Sequence, residues 1–312
     1  MRGRRRSTPA GAHRPVLLAE VLETLALRPG AVVVDGTTGW AGHSRELLRA
    51  VQPGGRLVGL DLDPENLEKA RQQLEPLGEG FTLVHRNFAA IDTVLAELGI
   101  DGVDGVLADL GMSSMQVDDA DRGFSYSRDG PLDMRMDRTR GKTAAQLLAT
   151  LPEEEIARAL ADLGDEPHAA KIAKALVERR QTEPLTRTRE LADFLIEVVQ
   201  AGRPHRLRQG KAKWETHPAA QTFQALRILV NRELANLDQL LRVLPTVLKP
   251  GGVAAVISFH SGEDRRIKAA FRDGKANGVY GACAEEPIRP GFAEKSDNPR
   301  SRSAKLRWAR RV

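Results

Sequence analysis

A chain of 312 residues, 41% of them hydrophobic, is long enough for one large α/β domain with an insertion, or for two domains, with a sizeable core. No apolar run approaches the ~20 residues needed to cross a bilayer, and the N-terminus is Arg-rich with no apolar stretch before a cleavage site, so a soluble cytoplasmic protein without a membrane partner is expected. One cysteine, Cys283, excludes an internal disulfide and a CxxC-type zinc site, and the seven histidines lack HExxH spacing, so no protein-built metal site is expected.

The net charge of +5 is local. Arg2, Arg4, Arg5, Arg6 and Arg14 occur in an acid-free opening stretch, and the rest of the chain is balanced. Residues 1–12 are expected to be a disordered basic tail. Two further acid-free clusters, "RPHRLRQGKAK" (203–213) and "RSRSAKLRWARR" (300–311), suit a phosphate backbone, and equally suit a solvated loop or tail.

In chain order, the apolar runs AVVVD (31–35), RLVGLD (56–61), FTLVH (81–85) and VDGVLADL (103–110) are separated by amphipathic stretches, which predicts a parallel sheet of βαβ units. After Leu110 the rhythm breaks. A stretch rich in Asp, Gly, Ser, Met and Arg leads into short helical patterns, so residues 115–215 are expected to form a mostly helical insertion. Phe223, Leu226, Val230, Leu234, Leu237, Leu241 and Leu244 then recur at steps of three and four, predicting one long helix with an apolar core face. "LKPGGVAAVISF" follows as a turn and a buried strand, and "AKLRWARRV" alternates as a final strand.

The turn after the first strand, "VVVDGTTGWAGHSRELL" (32–48), reads as a nucleoside site. An acid ends the first strand, glycines follow, and Asp61 ends the second strand, where its carboxylate can accept both ribose hydroxyls beyond the carboxyl ends of the sheet. No GK[ST] follows the glycines, so it is not a Walker loop. The spacing Gly36-x-x-Gly39-x-x-Gly42 departs from G-x-G-x-x-G. Asp35 beside it would repel a pyrophosphate but would tolerate, or attract, the ammonium and sulfonium of S-adenosylmethionine, the cofactor this turn favours. The glycines equally permit a tight turn with close helix packing. Asp63 before Pro64 reads as a helix N-cap, and His43, alone, as a surface histidine in the first helical turn.

Beyond the fourth strand the motifs become specific. "LADLGMSSMQVDDADRGFSYSRDGPLDMRMD" (107–137), "TFQALRILVNREL" (222–234), "ISFHSGEDRRIK" (257–268) and "NPRSRSAKLR" (298–307), with "HRPVLLAEVLETLALRPGAVVVDGTTGWAGHS" ahead of them, closely resemble the ribosomal RNA small subunit methyltransferase H family, also called the MraW type, from about residue 13 onward. The resemblance implies an α/β fold: a Rossmann-like class I S-adenosylmethionine-dependent methyltransferase sheet (13–114 and 216–312) with an inserted, mostly helical domain (115–215) for substrate recognition. It implies methylation of the exocyclic N4 of a cytidine in the decoding region of bacterial 16S rRNA, within the small ribosomal subunit. Cofactor contacts carried over by it fall on Ala41, Gly42, His43, Asp61, Phe88, Asp109 and Gln116; Phe88 and Gln116 rest on the resemblance alone.

This sequence departs from the family where Ala41 replaces a glycine, Trp40 an arginine and Gly262 a leucine. Ala41 matters only if its φ is positive. For the chemistry, a cytosine amine must be held in line, relieved of its ring delocalisation and deprotonated. In place of a [DNS]-P-P-[YFW] segment the chain has Asp109-Leu110-Gly111-Met112, so Asp109 is the candidate catalytic carboxylate, with Ser113 and Ser114 as nearby hydroxyls. His260 is a second candidate, as proton acceptor or base contact, against a satisfied loop histidine. The loop "DGPLDMRMD" (129–137) either closes over the base or packs between sheet and insertion. The target base has to be flipped or unpaired. A homodimer is compatible with the sequence, although no exposed heptad requires one. Two rivals remain: a non-catalytic RNA-binding ribosome assembly factor on a methyltransferase fold, and a nicotinamide-dependent oxidoreductase, which the glycine spacing and Asp35 disfavour.

Overall fold

The computed structural model describes residues 15–112, 114–200 and 217–312. The basic tail, the cluster 203–213 and Ser113 lie outside the described residues, as does the side chain of Ser114. The chain forms two compact units, Met1–Gly111 with Leu234–Val312, and Met112–Glu233.

The first unit begins with α1 (Leu18–Leu25), β1 (Val32–Asp35), α2 (Gly42–Val51), β2 (Arg56–Asp61), α3 (Pro64–Leu74), β3 (Phe81–His85), a 3-10 turn (Phe88–Ala90), α4 (Ile91–Glu97) and β4 (Val103–Asp109). The second unit supplies α5 (Ser114–Asp118), α6 (Ala144–Thr150), α7 (Glu153–Gly164), α8 (Ala169–Arg179), α9 (Thr188–Gln200) and α10 (Ala220–Asn231). The chain then returns through α11 (Glu233–Val247), β5 (Leu248–Ser258), α12 (Ser261–Ala276), β6 (Tyr280–Cys283), α13 (Phe292–Asp297) and β7 (Lys305–Arg311).

The strands make one seven-stranded sheet in the order β3-β2-β1-β4-β5-β7-β6. The four runs read from sequence are β1 to β4, and they pair in parallel, as does β4 with β5. The last strand, β7, runs antiparallel between β5 and β6. β6, with four residues, had no sequence signal. Chain order reverses at β1, with β2 on one side and β4 on the other. The carboxyl ends of these strands therefore flank the crevice where open α/β sheets bind ligands.

Alternation within the strands builds two cores. Val34, Val58 and Leu60 face α4, α11 and α12, whereas Val33, Leu57 and Leu107 face α1, α2 and α3. Both faces of the sheet are covered, which is why these strands read as continuous apolar runs. Asp63 caps α3 as expected, accepting from Glu65 N at 3.1 Å with Pro64 in the first turn.

The single long helix expected over 222–244 is corrected to two. Arg232 adopts φ 52° and ends α10, and α11 restarts at Glu233. The apolar spacing stays in phase across the break, so periodicity alone could not reveal it. α10 packs on α7, where a Cβ on Gly164 would lie 2.5 Å from the Gln221 carbonyl oxygen. Asn231, at the break, donates to the Met134 carbonyl at 2.8 Å and accepts from Met136 N at 2.7 Å. Leu132 and Met134 are 1% and 0% exposed and belong to the core of the second unit. The 129–137 loop is thereby a packing loop.

α12 is fastened to β7 by Asp264, which accepts from Arg307 Nε at 2.6 Å and Lys305 Nζ at 2.8 Å. Burial acts to raise the Asp264 carboxyl, but the bonds and charges of Arg307 and Lys305 outweigh it and hold the group below its ordinary value. Arg307 is 3% exposed, so removing the carboxylate would strand a buried charge. Asp264→Asn should lower the unfolding free energy by about 3 kcal/mol, measured by denaturant titration. Because the folded value is depressed, the wild-type advantage should be present above the unfolded carboxylate range and vanish as the pH falls below it.

Candidate functional site

The turn after β1 is organised by two carboxylates. Asp35 is 1% exposed; its Oδ2 accepts from Ser44 Oγ at 2.6 Å and its Oδ1 from Thr37 N at 3.1 Å. Burial pushes Asp35 upward against these bonds and the charge of His43. Both of its oxygens take bonds inside the turn, and its charge also acts on the crevice beside it.

Asp61 ends β2 and accepts from Gly39 N at 2.7 Å, Asp63 N at 2.8 Å and Asn66 Nδ2 at 3.2 Å. These bonds aim the carboxylate across the turn and leave acceptor capacity for a ligand, since two carboxylate oxygens offer about four lone-pair sites. Its burial raises the group to about 6, against the lowering effect of the three donors.

The glycines have specific neighbours. A Cβ on Gly36 would sit 3.0 Å from the Phe88 Cβ, and one on Gly42 would sit 3.1 Å from Pro15 Cγ. Phe88 thus reaches the turn from the 3-10 segment that Asn87 caps. Gly39 takes φ 52° and Ala41 φ 63°. Ala41 therefore occupies the left-handed region where the methyl group matters. That conformation costs an L-residue about 1 to 2 kcal/mol. Glycine would avoid it at an entropic cost of about 0.5 to 1 kcal/mol, and would give up burial of one methyl, about 0.8 kcal/mol. The opposing effects nearly cancel, so alanine is tolerated.

Asp109, at the end of β4, lies against the same turn. Its backbone N–H donates to Thr37 Oγ1 at 2.7 Å, and its Oδ1 accepts from Gly111 N at 3.2 Å. Burial raises its carboxyl, opposed by the charge of His43 and the Gly111 amide. His43 is no surface residue: it is 7% exposed, its Nε2 lies 3.0 Å from the Val16 carbonyl oxygen, and its Nδ1 lies 3.7 Å from Asp109 Oδ2.

Ala41, Gly42, His43, Asp61, Phe88 and Asp109 are thus gathered around one turn of the first unit. Gln116 stands on α5 of the second unit and is 6% exposed. Thr37, Ser44 and Asn66 were not singled out from sequence, although a Thr directly after Asp-Gly and a Ser in the first turn of the helix that follows are the donors a buried carboxylate requires.

His260 is the N-cap of α12: its side chain accepts from the Glu263 backbone N–H, and Glu263 reaches back to the N–H groups of Phe259 and His260 at 2.8 and 3.3 Å. The lone pair of one ring nitrogen is thereby spent on the helix. A Cβ on Gly262 would approach His260 Nδ1 to 3.1 Å, so the glycine makes room for the capping ring where a larger residue would crowd it.

The model of the MraW methylase family matches residues 10–312. The chain is 45% identical over 318 aligned positions to the ribosomal RNA small subunit methyltransferase H of Geobacter sp. (strain M21), covering 96% of this chain and 98% of the relative. It is 46% identical to the protein of that name from Geobacter sulfurreducens, covering 96% and 99%. Among solved structures it aligns with a putative rRNA-methylase from Clostridium thermocellum at TM-score 0.44 and 13% identity, over 96% of this chain and 100% of the other.

Two outcomes follow from the geometry. Ala41→Gly should change the unfolding free energy by less than about 1 kcal/mol in a denaturant titration. Ribose hydroxyls donate more strongly to an ionised carboxylate than to a neutral carboxyl, so a ribose held by Asp61 would favour proton loss, and affinity should rise with pH up to about 6 and then level off. Calorimetry with S-adenosylmethionine should find binding roughly tenfold weaker at about pH 5 than at 7.5, and Asp61→Asn should abolish both the tight binding and its pH dependence.

Proposed function

Because the chain belongs to the MraW methylase family, we propose that it transfers a methyl group from S-adenosylmethionine to the exocyclic N4 of a cytidine in the decoding region of bacterial 16S rRNA. The observation that carries this reading is the 45% identity spanning 96% of the chain, which runs through both units rather than the sheet alone. The turn fits the cofactor: its glycines leave room where a Cβ would collide with Phe88 or Pro15, and a carboxylate at the end of β2 faces it.

When bound, S-adenosylmethionine supplies an electrophilic methyl group. In our assignment Asp61 holds the ribose, and the Gly36–Gly42 backbone and Phe88 enclose the nucleoside. Asp109 is the carboxylate that accepts a hydrogen bond from the cytidine amine. That bond draws the nitrogen lone pair out of conjugation with the ring, and the carboxylate receives the proton released on attack. Gly111 holds one Asp109 oxygen and so orients the other. Burial, which raises this carboxyl, makes it a better proton acceptor than an exposed acid. His260 keeps its place at the start of α12, and the catalytic role suggested by its sequence context is assigned to Asp109 alone.

The departures that left a non-catalytic role open are both absorbed by the structure. Ala41 is tolerated in its left-handed conformation, and Gly262 accommodates a capping ring. No helix among the described residues is long and apolar enough to cross a membrane.

The test is transfer of labelled methyl from S-adenosylmethionine to small ribosomal subunits lacking the modification, with nuclease digestion and mass spectrometry to locate the label. A single N4-methylcytidine in the decoding region is the expected product. Bound cofactor with no incorporation would overturn the reading in favour of an assembly factor.

A further inference from the structure

The proton that leaves the cytidine amine needs a destination beyond Asp109, and the ring of His43 is placed to be one. The Val16 carbonyl oxygen beside Nε2, at 3.0 Å, can only accept, so Nε2 carries the proton of the neutral ring. Nδ1 is then a bare lone pair. It faces Asp109 Oδ2 at 3.7 Å, well beyond the about 2.7 to 2.9 Å of a charge-assisted hydrogen bond. The ring nitrogen and the carboxylate are thus near enough for a small approach to join them by a hydrogen bond.

We infer that His43 is the residue that takes up the substrate proton, acting through Asp109, in the methyl transfer proposed above. The bond from N4 to the methyl carbon forms from the nitrogen lone pair, and the carbon–sulfur bond breaks with its electrons remaining on sulfur. One N4–H bond breaks, its electrons returning to nitrogen. The proton passes to Asp109 and on to Nδ1, converting the neutral imidazole to imidazolium, and is lost to solvent before the next turnover.

The groups that face the ring come from several elements. From β1, Asp35 acts electrostatically on His43; from β4, Asp109 faces it directly. Asp61, ending β2, is committed to Gly39, Asp63 and Asn66. Glu263 on α12 acts on Asp109, and the segment entering α1 contributes the Val16 carbonyl. The positive charge lost from the sulfonium on transfer is matched by the charge gained on the ring, so the net charge of the crevice stays constant through the step.

The variant His43→Gln keeps an N–H donor for Val16 and removes the protonatable nitrogen. At saturating cofactor and subunits, where any loss of cofactor affinity at this turn residue is overcome, its single-turnover rate should fall by about 10²- to 10⁴-fold. Independently of the variant, long-range proton–nitrogen NMR of the histidine-labelled wild type should show neutral His43 protonated on Nε2. An Nδ1-protonated ring, a variant rate within threefold of wild type, or an effect confined to cofactor affinity each overturns the proton route. Wild-type protein that binds the cofactor and transfers nothing overturns the methyl-transfer reading itself.

Discussion

Everything in the first unit turns on the cost of putting a carboxylate at the end of a buried strand. Asp35 sits where its solvation is gone, and a charge in that position persists only if the protein supplies the hydrogen bonds that water no longer does. Thr37 and Ser44 supply them, and in doing so they decide the path of the turn and the start of α2. Thr37 then accepts from the backbone N–H of Asp109, so the satisfaction of one acid locks the end of β1 to the end of β4. Asp61 repeats the device from β2 through Gly39. The crevice is thus held open by polar bonds that leave few rotameric choices to its walls.

The same logic explains why His43 behaves unlike a histidine in a solvent-facing first turn. Pro15 lies over Gly42, and the Val16 carbonyl that follows fixes the ring through Nε2. Leu17 in turn donates from its backbone to Glu294 of α13 at 2.9 Å. The tautomer of one ring near the chemistry is therefore settled by where the segment ahead of α1 is pinned, on the far side of the sequence.

Much of the sheet was legible because buried parallel strands advertise themselves as apolar runs, and the place of Asp61 was legible because it closes one of those runs. Asp63 was readable as a cap from its neighbour Pro64. Three features were not. The break at Arg232 is invisible because α10 and α11 keep a common apolar phase while packing in different cores. The burial of Asp35 depends on donors whose sequence positions are unremarkable. β6 is four residues long and exists only because β7 presents it with an edge. Phe88 and Gln116 were reached through family resemblance; for Phe88 the contact with Gly36 supplies a physical reason that spacing could not.

The position of β7 in the sheet has a consequence for how the protein comes to exist. β7 follows β6 in the chain yet lies between β5 and β6, so during synthesis from the N-terminus β6 is made before the strand it pairs with. Until Lys305–Arg311 has been added, β5 presents an open edge, α12 lacks the partners of Asp264, and β6 has nothing to join. The parallel half of the sheet can assemble vectorially, element by element, whereas the antiparallel half is a single late event that closes only when the chain is nearly finished. Nascent chains stalled just short of β7 would carry an unpaired strand edge, the surface most prone to pairing with another molecule.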